Sequence, residues 1–154
     1  MKKMTMAILA LAIAAPMFAQ SQTDVMEMTR DVIRTERKAL VAANMQLNDA
    51  ESKMFWPVYN EYQDETRKIA DRRLELLQSY AYAYENLTET QAEAFLQESM
   101  EIQKARLELR QTFVPKFRKV LSPKMVARFF QIDSKLDVII EYDLVGEIPL
   151  VRGK

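Results

Sequence analysis

Glycine is confined to the C-terminal end of this chain, where Gly146 and Gly153 are the only two. The rest of the sequence is rich in Ala, Leu, Met, Glu, Gln, Lys and Arg, which are the residues that enter an α-helix most readily. No segment has the pattern of a β-strand. We therefore expect long, uninterrupted helices, and the predicted fold class is all-α.

Three short segments have the pattern of a helix N-terminus. In each, an apolar residue precedes an Asn, Thr or Ser whose side-chain oxygen can accept hydrogen bonds from the first free backbone amides. In the first two, a Glu or Gln three residues after the cap completes a capping box, and in the third Pro123 takes the first helical position. The residues concerned are Leu47, Asn48 and Glu51, then Leu87, Thr88 and Gln91, and then Leu121 and Ser122.

These starts divide the chain into four helices and a tail. The helices are predicted at about residues 24–45, 48–84, 88–120 and 122–144, and the extended tail at 145–154. Apolar residues recur at three- and four-residue steps in the second and third helices, as in amphipathic helices that bury one face. At about 1.5 Å per residue, each of these two would run roughly 50 Å. An elongated, single helical domain is therefore expected.

The two long helices are predicted to pair as an antiparallel, coiled-coil hairpin around a turn at Asn86. The start of the second helix is mainly acidic and the end of the third is mainly basic, so antiparallel packing brings opposite charges together. Pro57 and Pro115 are equidistant from Asn86, and a proline inside a helix kinks its axis. Two kinks at one level predict a bent hairpin.

The N-terminus has the organisation of a secretory signal peptide. Two lysines precede an apolar run from Met6 to Ala15, and a cleavage site follows at Ala19. The apolar run is shorter than the roughly 20 residues that span a membrane, so stable membrane insertion is not expected. Residues 1–19 are predicted to be removed, which leaves one helical domain, residues 20–154, in the periplasm.

The composition argues against several kinds of chemistry. The chain has no histidine, which removes the commonest general base and the commonest metal ligand, and no cysteine. Its serines therefore have no histidine to activate them. Without Lys2 and Lys3, 20 basic residues face 22 acidic ones, so nucleic acid is not an expected partner. We expect no enzymatic activity, no catalytic or metal-binding residue and no cofactor.

Two groups of residues are candidates for a surface that contacts a client or partner protein. Alternate positions on a helix cannot all face one core, so part of a tyrosine cluster near the turn should remain exposed. The end of the third helix also carries more basic residues than are needed for ion pairs with the second helix. The candidates are Tyr80, Tyr82, Tyr84, Arg110, Lys116, Arg118, Lys119 and Arg128. Most other aromatic residues at helical spacing are expected to form the core.

The helix starts also carry a family resemblance. Residues 87–91 read Leu-Thr-Glu-Thr-Gln, and residues 47–51 are a close variant. They resemble the Leu-Thr-x-x-Gln motif of the Spy/CpxP family of periplasmic stress proteins. Residues from about 45 to 149 are also similar to exported proteins labelled as sensors of extracytoplasmic-function sigma factors, through Phe-Trp-Pro-Val-Tyr-Asn-Glu-Tyr and Ala-Arg-Phe-Phe-Gln-Ile.

The resemblance implies an ATP-independent chaperone that holds unfolded envelope proteins on the concave face of an antiparallel homodimer. An alternative is a regulatory protein that binds a membrane sensor kinase or an anti-sigma factor. A third possibility is a structural envelope protein with neither activity. The metal-sensing relatives use histidines, so a metal-sensing role is not expected for a chain that has none.

Overall fold

A computed structural model of the chain describes residues 34–145 and 148–151. Its helices are, in chain order, α1 (residues 34–45), α2 (Asp49–Ala83), α3 (Glu89–Arg118) and α4 (Pro123–Val145). A short 3-10 turn, Tyr84–Asn86, follows α2. The described residues contain no strand, and the prediction of an all-α fold is confirmed. None of these helices is long and apolar enough to cross a membrane.

The ends of α2, α3 and α4 fall within two residues of the predicted ends. The predicted signal peptide and residues 24–33 of the predicted first helix lie outside the described residues. Of the predicted tail, Val145 is the last residue of α4, and residues 148–151 are not helical. The chain divides between Ala43 and Asn44 into two units, and every contact discussed below lies within the second.

Both capping boxes that the sequence predicts are present. The Asn48 side chain accepts from the Glu51 amide at 2.9 Å, and the Glu51 carboxylate accepts from the Asn48 amide at 3.1 Å. Thr88 and Gln91 form the same pair of hydrogen bonds at 3.3 and 3.0 Å. These bonds satisfy amides that the first turn of a helix cannot pair internally, and so they fix where α2 and α3 begin.

A tight turn separates α3 from α4. The Leu121 amide donates to the Phe117 carbonyl at 2.9 Å, which closes the end of α3. The Met125 amide then donates to the Ser122 hydroxyl at 3.4 Å, and Pro123 takes the first position of α4. Leu121 is buried, so the turn is attached to the core.

Helices α2 and α3 contact each other in antiparallel order. Near the start of α2, Phe55 packs on Phe117 with ring centroids 5.6 Å apart. Close to the end of α2, Tyr80 packs edge-on against Phe95 at 5.6 Å. The residue numbers of the contacting positions therefore decrease along α3 as they increase along α2, which defines an antiparallel pair. The aromatic pair at Phe55 lies two residues outside both Pro57 and Pro115, which places the two prolines at one level.

Helix α4 packs on this pair through aromatic side chains. Phe129 lies 4.6 Å from Phe117 and 5.4 Å from Phe55, measured between ring centroids. We call the buried set the aromatic core; its members are Phe55, Tyr59, Tyr62, Phe113, Phe117 and Phe129, none more than 2% exposed. Burying one such side chain stabilises the fold by about 1.5–3 kcal/mol, so the aromatic core is the main attachment of α4.

Candidate interaction surfaces

Three carboxylates on α4 face the α2–α3 pair at four-residue spacing. This spacing places them on one face of the helix, because residues four apart lie one turn above each other. We call this set the carboxylate row; its members are Asp133, Asp137 and Glu141. Each of the three meets at least one arginine of α2 or α3.

The inner end of the carboxylate row is buried. Asp133 is 1% exposed, and it accepts a hydrogen bond from the Tyr62 hydroxyl at 2.9 Å. A guanidinium nitrogen of Arg110 lies 3.5 Å from Asp133 and 2.9 Å from Asp137. Burial, together with the negative charge of Asp133, raises the pKa of the Tyr62 hydroxyl. Tyr62 therefore stays protonated and remains a donor.

The outer end of the carboxylate row binds two arginines. Glu141 lies 2.6 Å from Arg106 of α3 and 2.8 Å from Arg73 of α2. Partial burial opposes ionisation of Glu141, but the hydrogen bonds and charges of the two arginines outweigh it and lower the pKa of the carboxyl. Both long helices are thus tied to α4 through one side chain.

The carboxylate row was not recognised in the sequence, although its four-residue spacing is visible there. It matches the four-residue spacing of Arg106 and Arg110 on α3. Arg110 was predicted as part of a client or partner surface, and the structure places it against Asp137 instead. Its charge is therefore used inside the fold.

Opposite charges pair across α2 and α3 among the described residues, and the pair at Glu61 joins the acidic start of α2 to the basic end of α3, as predicted. Lys116 lies 2.6 Å from Glu61, with its ammonium group 4.2 Å from the centre of the Phe113 ring. Arg72 and Glu98 form a two-bond pair, with one N–O distance of 2.9 Å. The hydrogen bonds from Arg72 lower the pKa of the Glu98 carboxyl. Lys116, another candidate surface residue, is therefore engaged by α2.

Three cations near the α3–α4 turn have no such partner. Arg118, Lys119 and Lys124 are exposed, and they form no ion pair within the part of the chain that the structure describes. We call these three the basic corner. Arg128 is also exposed, but its guanidinium donates to the Asn44 carbonyl at 2.8 Å. Of the predicted basic surface, Arg118 and Lys119 thus remain available to a partner.

The three candidate tyrosines separate into two environments. Tyr82 is 96% exposed. Tyr80 contacts Phe95 at 5.6 Å and Tyr84 at 5.8 Å, and its hydroxyl donates to the Pro149 carbonyl at 2.9 Å. Tyr80 and Tyr84 therefore form one aromatic surface near the α2–α3 turn, while Tyr82 projects away from it.

A row of exposed apolar side chains runs along α3. Leu96, Met100 and Leu107 are each more than half exposed, and Gln103 continues their spacing of four, three and four residues. We call these four residues the α3 stripe. The α3 stripe could not be recognised in the sequence, because the buried residues Ile102 and Phe113 dominate the apolar pattern of the same helix.

No family model, no curated protein and no solved structure matches this chain. No group of three His, Cys, Asp or Glu side chains among the described residues is arranged to hold a metal ion. Function is therefore inferred from the α3 stripe, the basic corner and the tyrosines, together with the motif resemblance.

Proposed function

We propose that this protein is a periplasmic, ATP-independent chaperone that holds unfolded envelope proteins. The observation that carries the proposal is the α3 stripe, because single exposed apolar residues are ordinary whereas a row of them on one helix marks a binding surface. Other large apolar side chains of the second unit are also about half exposed or more: Met54, Tyr82, Val138, Ile139, Leu150 and Val151.

The chemistry of these surfaces suits weak and adaptable contacts. Methionine and leucine side chains can follow many apolar shapes, so no fixed client sequence is required. Arg118 lies eleven residues beyond Leu107, or about three full helical turns, which puts this cation near the face of the stripe. Clients with apolar residues next to acidic ones would therefore be held best.

The first test is aggregation of a chemically denatured client, followed by light scattering without nucleotide. We expect the mature protein to suppress light scattering near an equimolar ratio to the client. The Met100→Lys variant should suppress scattering several-fold less at the same ratio. Ala94→Lys is the matched control, because it adds the same charge to an exposed position of α3 outside the stripe. If a several-fold excess of the unaltered protein fails with two unrelated clients, the chaperone proposal is wrong.

A second copy of the chain is the proposed stable partner. Antiparallel pairing of two α3 stripes about a point between Glu101 and Ile102 would set Leu96 against Leu107 of the second copy. It would also set the acidic first half of α3 against the basic second half of its partner. The exposed charges concerned, which form no ion pair with another described helix, are Glu89, Glu93 and Glu101 against Lys104 and Arg118.

A regulatory role is the second candidate. The regular spacing of the α3 stripe favours it, because alternating four- and three-residue steps are the pattern that one helix presents to another in a coiled coil. The partner would be a membrane sensor kinase or an anti-sigma factor. Crosslinking in cells followed by mass spectrometry separates the two roles: one dominant partner supports regulation, and many unrelated clients support a chaperone.

A further inference from the structure

The C-terminal segment at residues 148–151 lies against the end of α2. The Tyr80 hydroxyl donates to the Pro149 carbonyl at 2.9 Å, across 69 positions of sequence. Ile148 is partly buried, whereas Leu150 and Val151 are exposed. The segment is apolar and non-helical, and Pro149 favours an extended backbone at the residue before it.

The surface beneath this segment is aromatic, and the Tyr80 hydroxyl donates from it to the main chain of the segment. The ring of Tyr80 rests edge-on against Phe95 and beside Tyr84. The hydroxyl contacts a main-chain carbonyl, which every peptide possesses, so the hydrogen bond selects for an accessible backbone and not for a particular side chain. We call Tyr80, Tyr84 and Phe95 the tyrosine surface.

We propose that the tyrosine surface is a binding site for extended apolar peptide segments and that residues 148–151 occupy it as an internal ligand. This inference rests on the proposed chaperone function, for which it names a class of client segment. A tethered ligand acts at an effective concentration on the order of millimolar. Client segments must displace the tail, so those that bind only weakly are kept out.

The test is binding of a fluorescently labelled peptide of residues 146–154, followed by anisotropy. The mature protein is compared with a version that lacks residues 148–154, and circular dichroism checks that both are folded. We expect the shortened protein to bind the peptide and the complete protein to bind it at least several-fold more weakly. A peptide with Ile148→Glu and Leu150→Glu should bind neither.

Two matched substitutions in the shortened protein assign the site. Loss of one neutral hydrogen bond corresponds to a roughly 2- to 12-fold weaker affinity, which we expect for Tyr80→Phe. Tyr82→Phe removes the same hydroxyl from an exposed position of the same helix and should leave the affinity unchanged. Equal affinities for the two variants, or no peptide binding by the shortened protein, would overturn the inference.

The same proteins separate this inference from the proposed function. If the shortened protein binds the peptide but neither protein delays client aggregation, the chaperone proposal fails and the peptide site stands. If both delay aggregation equally and the peptide does not bind, the peptide site fails and the chaperone proposal stands. Faster or fuller suppression by the shortened protein supports both.

Discussion

The hydroxyl of Tyr62 donates to the carboxylate of Asp133, joining α2 to α4 inside the core. Asp133 is almost fully buried, and an isolated buried carboxylate is costly. The Tyr62 hydroxyl and the Arg110 guanidinium, which lies 3.5 Å from the same oxygen, both offset the cost of burying this carboxylate. The position of α4 therefore depends on polar contacts as well as on the aromatic core.

Replacing Tyr62 by phenylalanine should destabilise the protein. The ring remains, but Asp133 loses a buried donor, so we expect the free energy of unfolding to fall by about 1–3 kcal/mol. Urea unfolding followed by circular dichroism measures it. Tyr82→Phe, at an exposed position, should change stability by less than about 0.5 kcal/mol. Identical urea midpoints for the two variants would contradict the role given to the Tyr62 hydroxyl.

Removing the Phe129 ring should be more damaging. Phe129 is fully buried and contacts rings of both α2 and α3. Phe129→Ala leaves a cavity at the centre of the aromatic core, and we expect a loss of about 3–5 kcal/mol. Thermal unfolding would report it as a marked fall in Tm. Val138→Ala on the exposed side of α4 is the control, and a similar fall there would argue against the packing described.

The stabilisation contributed by Glu141 should depend on pH. Its folded-state pKa is lowered, so its contribution is present above the ordinary glutamate pKa and is lost as pH falls through the lower, folded value. Glu141→Gln should therefore cost about 1 kcal/mol or less near pH 7, since the side chain is partly exposed, and nothing at low pH. Denaturant midpoints across the pH range measure this difference.

Glu75→Gln is the control for that titration. Glu75 is exposed on α2 and forms no hydrogen bond or ion pair with another described residue. Its substitution should leave the denaturant midpoint near pH 7 unchanged, because no contact is lost. If Glu141→Gln also leaves it unchanged, the ion pairs with Arg73 and Arg106 do not stabilise the fold.

The antiparallel homodimer makes a distance prediction. Spin labels on a single cysteine at Thr90 should lie about 35 Å apart along the helix axis, and those at Lys104 about 8 Å, because each residue advances a helix by about 1.5 Å. The chain has no cysteine of its own, so labelling is specific. Double electron–electron resonance suits the Thr90 label and line broadening the Lys104 label.

Other outcomes of that measurement are equally informative. Parallel pairing would bring both labels close together in the two copies. A monomer would show no spin–spin coupling at either position. Leu107→Lys should abolish the coupling if the α3 stripe is the interface, because it buries a charge opposite Leu96 of the second copy.

Local signals explain why the helices could be predicted. The boxes at Asn48 and Thr88 act over three residues, so their hydrogen bonds are decided by adjacent side chains and can be recognised without a fold. The same holds for Pro123 at the start of α4. The predicted bend at the two prolines stays a prediction, as do export and the homodimer.

Long-range choices could not be predicted in the same way. Acidic residues that could pair with Arg110 occur on both α2 and α4. Only the packing of the helices determines that its guanidinium donates to Asp137. The α3 stripe depends on how far α4 reaches along α3. Among the side chains that the structure describes, the ion pairs and ring contacts between these helices lie at Arg106 and beyond, so nothing in the pattern of α3 alone reveals that Leu96 and Met100 stay exposed.

The aromatic core also constrains the order in which this protein can be made. It takes rings from three helices, and the hydrogen bond that closes it joins residues 71 positions apart. A chain synthesised from its N-terminus completes α2 and α3 before α4 is made. At that stage the rings of Phe55 and Phe117 are not yet covered by Phe129. Stable tertiary structure must follow the synthesis of Phe129. The predicted export, through a channel that passes only unfolded chains, would therefore have to take place before this core closes.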